Sequence, residues 1–352
     1  MPTRKALGLA LGGVLAASFA VPAHAAASCD RWAAPTGSDS AAGTQSAPVA
    51  SVTRLIAVLA QGQTGCLRQG TYSGYVRVDK PGITLTSAAG ERATIAGRLY
   101  FPPGANGITL SHVDLNGRND SGMPSPTVYG DDDTFDDIDL TNDYTAICFN
   151  VGAYKPDYKV VAHNLVIENS RIHRCGKMPA ANHDHGIYLE NTANARVEGN
   201  VIYDNADRAI NLYPHAMGTT IRGNVMDGNG EGVLFSGDLG MTSDRNVLEG
   251  NVITNPRLRD AVEVWWPQRR GRGNVVRRNC VHGGAGTIDA SDGGLTVGAG
   301  NLLIDPGYRN RGANDFRLAP ASPCGALLAA PADLPPAAVP VPVAQVLGNL
   351  LG

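Results

Sequence analysis

His185, Arg208, Glu231 and Asp260 each stand just ahead of a short apolar stretch: Gly186-Ile187-Tyr188-Leu189, Ala209-Ile210-Asn211-Leu212, Gly232-Val233-Leu234-Phe235 and Ala261-Val262-Glu263-Val264. If these stretches are neighbouring parallel strands about 4.8 Å apart, the four residues form one column. Asp184, Asp207, Gly230 and Arg259 precede them, Tyr188, Asn211 and Glu263 run alongside, His183 lies upstream, and Tyr213 and His215 follow the second strand. A histidine, an arginine, a tyrosine and several carboxylates on one face suit removal of a weakly acidic C–H proton beside a carboxylate, as at C5 of a uronate. Arg208 would neutralise the carboxylate, and His185, whose ordinary pKa is near neutrality, would take the proton. Tyr188 would protonate the departing O4 in an elimination; in an epimerisation a second group would return a proton to the opposite face. His185 and Arg208 are both read as pointing outward, so truncating either is expected to leave the fold intact.

Two other readings use the same residues. Glu231, Asp260 and Glu263 could supply the carboxylate pair of a glycoside hydrolase. Alternatively, the polar column merely satisfies turns, and the face binds polysaccharide or is structural without turnover. Trp265 and Trp266, followed by Arg269, Arg270 and Arg272, could stack on sugars and clamp carboxylates, or form a solvated hairpin. The acidic run Asp131-Asp132-Asp133 with Asp136, Asp137 and Asp139 is either a Ca2+ site built from hard oxygen ligands or a solvated turn. No other cofactor is indicated.

The elements that must hold such a column are visible as a repeat. The pattern hydrophobic-x-x-Asn recurs at Val197–Asn200, Ile221–Asn224, Leu248–Asn251 and Val276–Asn279, at intervals of 24, 27 and 28 residues. A period in the twenties marks a solenoid whose coils bury their apolar faces on each other. Alternation places Ile187, Ile210, Val233 and Val262 inward with Leu189, Leu212, Phe235 and Val264, leaving Tyr188, Asn211, Leu234 and Glu263 outward. The register extends back through Ala146–Phe149, with fainter coils at Ile83–Leu85 and Ile108–Leu110. The Gly, Asn and Asp between strands exclude a helical repeat. Asn224, Asn251 and Asn279 are expected to form an internal ladder.

Gly37-Ser38-Asp39, Gly43-Thr44, the helix-like Ser51 to Ala60 and Gly70-Thr71-Tyr72 resemble the N-terminal cap of secreted right-handed parallel β-helix proteins of the pectate-lyase-like superfamily. Asp315-Phe316-Arg317-Leu318 with Ser322-Pro323 resembles their closing coil. The resemblance spans roughly residues 30 to 325. It implies an all-β, single-stranded parallel β-helix of PbH1 repeats with a short N-terminal capping helix, in a group that includes polysaccharide lyases, mannuronan C5-epimerases, glycoside hydrolases and non-catalytic proteins. The epimerases place a Tyr and an Asp-x-His group on one coil and an Asp on the next. This chain offers His183-Asp184-His185 and then Asp207, without the family's Asp-Pro-His order.

With 29 basic and 32 acidic residues in 352, the net charge of −3 implies no broad basic surface for nucleic acid, so an anionic polysaccharide would be held by a local patch. The chain is expected to act as a monomer. Charged residues at 17% and 43 glycines suit a solenoid with many tight turns. Arg4 and Lys5, the apolar run Ala6 to Val21 and the small-residue site Ala23-His24-Ala25 read as a signal peptide over residues 1–25, and hence as export without membrane insertion. One β-helix domain over 26–325 and an Ala/Pro-rich tail over 326–352 complete the division. Six cysteines in an exported chain suggest disulfides. Fifteen pairings exist; the favoured set is Cys29 with Cys66 at the N-terminal cap, Cys148 with Cys175, and Cys280 with Cys324 at the C-terminal cap, the middle pair having buried free thiols as its alternative.

Overall fold

Each coil is built from three short strands separated by turns that the sequence dictates. Arg196–Glu198, Val201–Tyr203 and Arg208–Met217 make one such coil; Thr220–Arg222, Val225–Asp227 and Glu231–Ser236 make the next. Strands pair in parallel between coils, Val197 opposite Ile221 and Ile221 opposite Leu248. The result is a parallel β-helix in which one nineteen-stranded sheet covers two sides of the coil and a nine-stranded sheet covers the third. The computed structural model describes residues 28–284 and 287–328. The expected signal peptide and nearly all of the Ala/Pro-rich tail lie outside the described residues.

The hydrophobic-x-x-Asn repeat has a local cause. The residue before each ladder asparagine takes a left-handed backbone, with φ of 67° at Gly199, 66° at Gly223, 68° at Gly250 and 56° at Arg278. Glycine adopts this freely, so it fills three of the four positions. The turn points the asparagine inward, where Asn200 donates to Asn224 at 3.0 Å, Asn224 to Asn251 at 2.9 Å and Asn251 to Asn279 at 2.9 Å. Each side-chain oxygen also accepts the backbone N–H of the preceding ladder residue. The expected ladder is present, and Asn301 extends it. Two further ladders, Asn205 to Asn229 and Asn246 to Asn274, serve other corners. Replacing Asn251 with alanine should orphan two buried donors of Asn224, at about 1–3 kcal/mol each, so a fall of several kcal/mol in unfolding free energy is expected from denaturant titration. A loss under about 1 kcal/mol would mean the ladder contributes little.

The core is the inward column of every strand. Ile187, Ile210, Val233 and Val262 are fully buried as expected, as are Leu189, Leu212 and Phe235. Phe101, Phe135 and Phe149 stack edge to face at 5.1 and 5.0 Å in the earlier coils. Two expected coils fall on a different side. Thr84–Ser87 and Thr109–Asn116 belong to the nineteen-stranded sheet, whereas the strands aligned with Phe149–Val151 are Thr127–Val128, Leu99–Phe101 and Val76–Arg77. Inward alternation is the same on all three sides, so it could not tell them apart.

The ends are closed differently. The helix Val52–Val58, capped by the Ser51 hydroxyl, lays Leu55 and Ile56 over the first coil and covers an edge that would otherwise pair with other chains. The sheet starts at Arg31–Ala33, which pairs in parallel with Thr64–Leu67. At the other end, Asp315–Leu318 is not a closing coil. It forms an antiparallel hairpin with Tyr308–Asn310 that folds back outside the solenoid. Phe316 packs on Tyr203 at 5.2 Å and joins an outward apolar stripe of Val201, Val225 and Val252, which explains the departure: that stripe needs a cover. All three favoured disulfides are present, Cys29–Cys66, Cys148–Cys175 and Cys280–Cys324. Among the described residues no helix is long and apolar enough to cross a membrane.

Candidate functional site

The nine-stranded sheet brings the expected column together. Tyr188 pairs with Asn211, Asn211 with Leu234, and Leu234 with Glu263, while Arg208 pairs with Glu231. Its exposure differs from expectation. His185, Arg208, Glu231 and Asp207 are all buried, with 2, 5, 0 and 0% of their surface exposed. Leu234 and Asn211 face out of the coil yet are buried too. The side chains at the strand entries lie under other groups: the Asn182 carbonyl, in the segment before the His185 strand, accepts from Arg208, and Arg259 reaches back across two coils. Truncating His185 or Arg208 therefore removes buried atoms.

Arg259 is the residue the sequence reading passed over. Its guanidinium contacts Glu231 at 2.6 Å and bridges to Asp207, and it lies 3.8 Å from Glu263. The signal was available: Arg259 shares a column with Asp184, Asp207 and Gly230, and glycine at 230 leaves no side chain between it and Asp207. A Cβ at Gly230 would stand 2.8 Å from the Asp207 Cα. Arg208 also serves the same two carboxylates, at 3.1 Å from Glu231 and 3.5 Å from Asp207. Two arginines and two acids thus form one ion-pair network, with Asp207, Glu231 and Arg208 buried and Arg259 partly exposed.

His185 sits at the end of this quartet. Its Nε2 accepts from the Asn211 amide at 2.8 Å, and its Nδ1 faces Asp207 Oδ2 at 3.9 Å. Burial, then the charges of Arg208, His183 and Arg259, hold its pKa well below the ordinary value. His185 is therefore a neutral imidazole at neutral pH. Tyr188 stands edge-on to it with ring centroids 5.4 Å apart and is partly exposed; burial raises its hydroxyl pKa. Glu231 is pushed up to about 7, by burial and by the Glu263 charge, against the pull of Arg208 and Arg259. Several buried polar atoms here have no hydrogen-bond partner: His185 Nδ1, Asp207 Oδ2, Asn211 Oδ1 and Glu231 Oε1, with Glu263 Oε2 beside them. Buried polar groups are nearly always paired, so this concentration makes the place the candidate functional site.

The raised Glu231 pKa has a measurable consequence. Between 4.5 and about 7 the folded protein holds a proton that the unfolded chain releases, so this stabilising contribution is full below 4.5 and lost as pH rises through about 7. His185 has the opposite sign, its contribution growing as pH rises towards 6.5. Thermal midpoints of the Glu231→Gln protein should therefore fall less between ~pH 5 and ~pH 8 than those of the wild type. Parallel curves would mean that Glu231 titrates as an ordinary carboxylate.

Other expected site residues have different settings. Asp184 is a structural group, its two oxygens accepting the backbone N–H of Lys177 and Ala181 at 2.8 and 3.0 Å. His183 is exposed on the same loop. Tyr213 stacks over Tyr188 at 6.5 Å and donates to Asp238, and His215 bonds Asn191 at 3.0 Å. Asp260 ends the column half-buried, its pKa raised by burial and by Asp289. Trp265 is exposed, paired with Ser236 three strands from the His185 coil, about 14 Å away. Trp266, Gln268, Arg270 and Asp292 line a separate polar cleft of about 300 Å³, and Arg269 and Arg272 lie exposed nearby. The acidic run at 131–139 is largely engaged: Asp131 with His163, Asp133 with the Ile108 N–H, Asp137 with Arg92 and His112, Asp139 with His173. Among the described residues no three His, Cys, Asp or Glu side chains converge to hold a metal ion.

The family model described as "Right handed beta helix region" matches residues 128–297. No curated protein sequence matches the chain. Among solved structures it is similar to pectate lyase Pel9A, at 15% identity and a TM-score of 0.50, covering 84% of this chain and 91% of that one. It is also similar to the A-module of the Azotobacter vinelandii mannuronan C-5 epimerase AlgE4, at 16% identity and a TM-score of 0.50, covering 68% of this chain and 66% of that one. At such identities the likeness is one of fold. With its coils, caps and core described and this match over residues 128–297, the chain has the right-handed parallel β-helix fold.

Proposed function

We propose that this is an exported carbohydrate-active protein that abstracts the C5 proton of a uronate in an acidic polysaccharide, as a lyase or a C5-epimerase. The observation that carries the reading is the juxtaposition of a neutral buried imidazole, His185, with the Asp207–Arg208–Glu231–Arg259 quartet and the partly exposed Tyr188. His185 is the base, available unprotonated at neutral pH because its pKa is depressed. Arg259, the more exposed arginine, and protonated Glu231 neutralise the sugar carboxylate, and Arg208 holds the two acids in place. Tyr188 delivers a proton to O4. The two fold relatives, a pectate lyase and a mannuronan C-5 epimerase by name, agree with such chemistry. Export is supported by the N-terminal segment and by three disulfides.

One observation favours a second reading. Glu231 is raised to about 7 by burial and by the nearby charge of Glu263, and a carboxyl group able to hold its proton beside a second carboxylate is what a glycoside hydrolase needs. Incubation with a panel of polyuronates decides between them. Unsaturated product, read by its ultraviolet absorbance, marks elimination; deuterium uptake at C5 without cleavage marks epimerisation; reducing ends without unsaturation mark hydrolysis. Binding without any of these would overturn both enzymatic readings.

A further inference from the structure

On the same outer face, in coils nearer the N-terminus, lies a second group of side chains. Leu99 and Phe101 point inward, so Arg98 and Tyr100 point outward, and Val76 pairs with Leu99 so that Tyr75 and Arg77 flank them. The Arg98 guanidinium stands 5.4 Å from the Tyr75 ring and 5.6 Å from the Tyr100 ring. Arg77 lies 5.3 Å from the other partner of this pair, Tyr100. Tyr129 stands edge-on to Tyr100 at 5.7 Å, and Tyr158, at the tip of the hairpin Ala153–Lys155/Tyr158–Val160, continues the row at 6.1 Å. Tyr75 is 52% exposed and Tyr158 41%.

Arg98 differs from the other arginines of this face. Arg208 and Arg259 share two carboxylates and Arg77 has Asp79, but Arg98 has no carboxylate partner among the described residues, and its Nε is buried without a hydrogen bond. A guanidinium held between two tyrosine faces and without a carboxylate partner among the described residues suits a planar anion approaching from its Nη side. Tyrosine faces beside it suit the apolar faces of sugar rings. The pairing Tyr100–Thr127–Asn150–Tyr188 places this group three strands, about 14 Å, from Tyr188 along the solenoid axis.

We infer that Arg98, flanked by Tyr75 and Tyr100, is a uronate-binding subsite that holds a carboxylate of the same polysaccharide chain several sugars away from His185, with the chain running parallel to the solenoid axis. The inference rests on the acidic-polysaccharide reading above and makes Arg98 a determinant of charge specificity.

Calorimetric titration of the full chain with galacturonate and mannuronate hexamers, and with their methyl esters, tests it. Arg98→Ala should weaken binding of at least one acidic hexamer by on the order of tenfold or more while leaving its ester unaffected. Arg98→Lys, which keeps the charge but loses the planar fork, should recover only part of that affinity. Tyr75→Ala, at an exposed position, should weaken acid and ester alike. Unchanged acidic binding in Arg98→Ala, equal losses for acid and ester, or a wild type that binds neither acidic hexamer would each overturn the inference. Failure of the catalytic reading is separable. Arg98-dependent binding without product supports this subsite and removes the enzyme; product formation with normal binding by Arg98→Ala overturns the subsite and keeps the enzyme.

Discussion

Turnover of a polyuronate should fall by about a hundredfold or more when His185 is replaced, since a positioned base contributes on the order of 10²- to 10⁴-fold. His185→Gln is the better variant than alanine, because it nearly fills the space and can still meet Asn211, which otherwise loses its side-chain partner at 2.8 Å. The pH profile provides an independent check. The imidazole pKa is held well below 6.5 by burial and by Arg208, so the acid limb of the rate should lie below 6.5 and not at it. Tyr188→Phe should abolish elimination while oligomer binding stays close to that of the wild type, as expected when only a transition-state interaction is removed. Full activity in both variants would move the chemistry along the column towards Glu263 and Trp265.

Arg208→Ala should destabilise the fold by about 3–5 kcal/mol, the range for breaking a buried ion pair and leaving its partner charged. Asp207 and Glu231 are both completely buried, and Arg259 alone would have to compensate Asp207 and the ionised fraction of Glu231. The denaturant midpoint should fall with an unchanged slope. Adding Glu231→Gln should recover part of the loss, because the two positions share one network and their effects cannot be additive. A midpoint within about 0.5 kcal/mol of wild type would return Arg208 to the solvated surface where its sequence position first suggested it.

What was legible in the sequence followed from rules that repeat along the chain. The period of the asparagines, the inward alternation from Ile187 to Val262 and the ladder itself are set by one local turn with a left-handed residue before each Asn, so sequence spacing alone disclosed them. The partners of Cys29, Cys148 and Cys280 were found from their places at caps and excursions. The column of His185, Arg208 and Glu231 was also legible, since parallel pairing maps equal offsets onto neighbours.

What the sequence could not disclose was depth. Alternation states which way a side chain leaves its own strand, not what lies over it. Only the folded chain places Arg259 across Gly230 onto Asp207, the Asn182 carbonyl on Arg208, and Phe316 on the outer stripe of Val201 and Val225. These contacts join residues separated by tens of positions and vary from coil to coil, so no periodicity encodes them. They turned a column expected on the surface into a buried charge network, because a long side chain or returning segment from another coil excludes water from groups that their own strand leaves facing out.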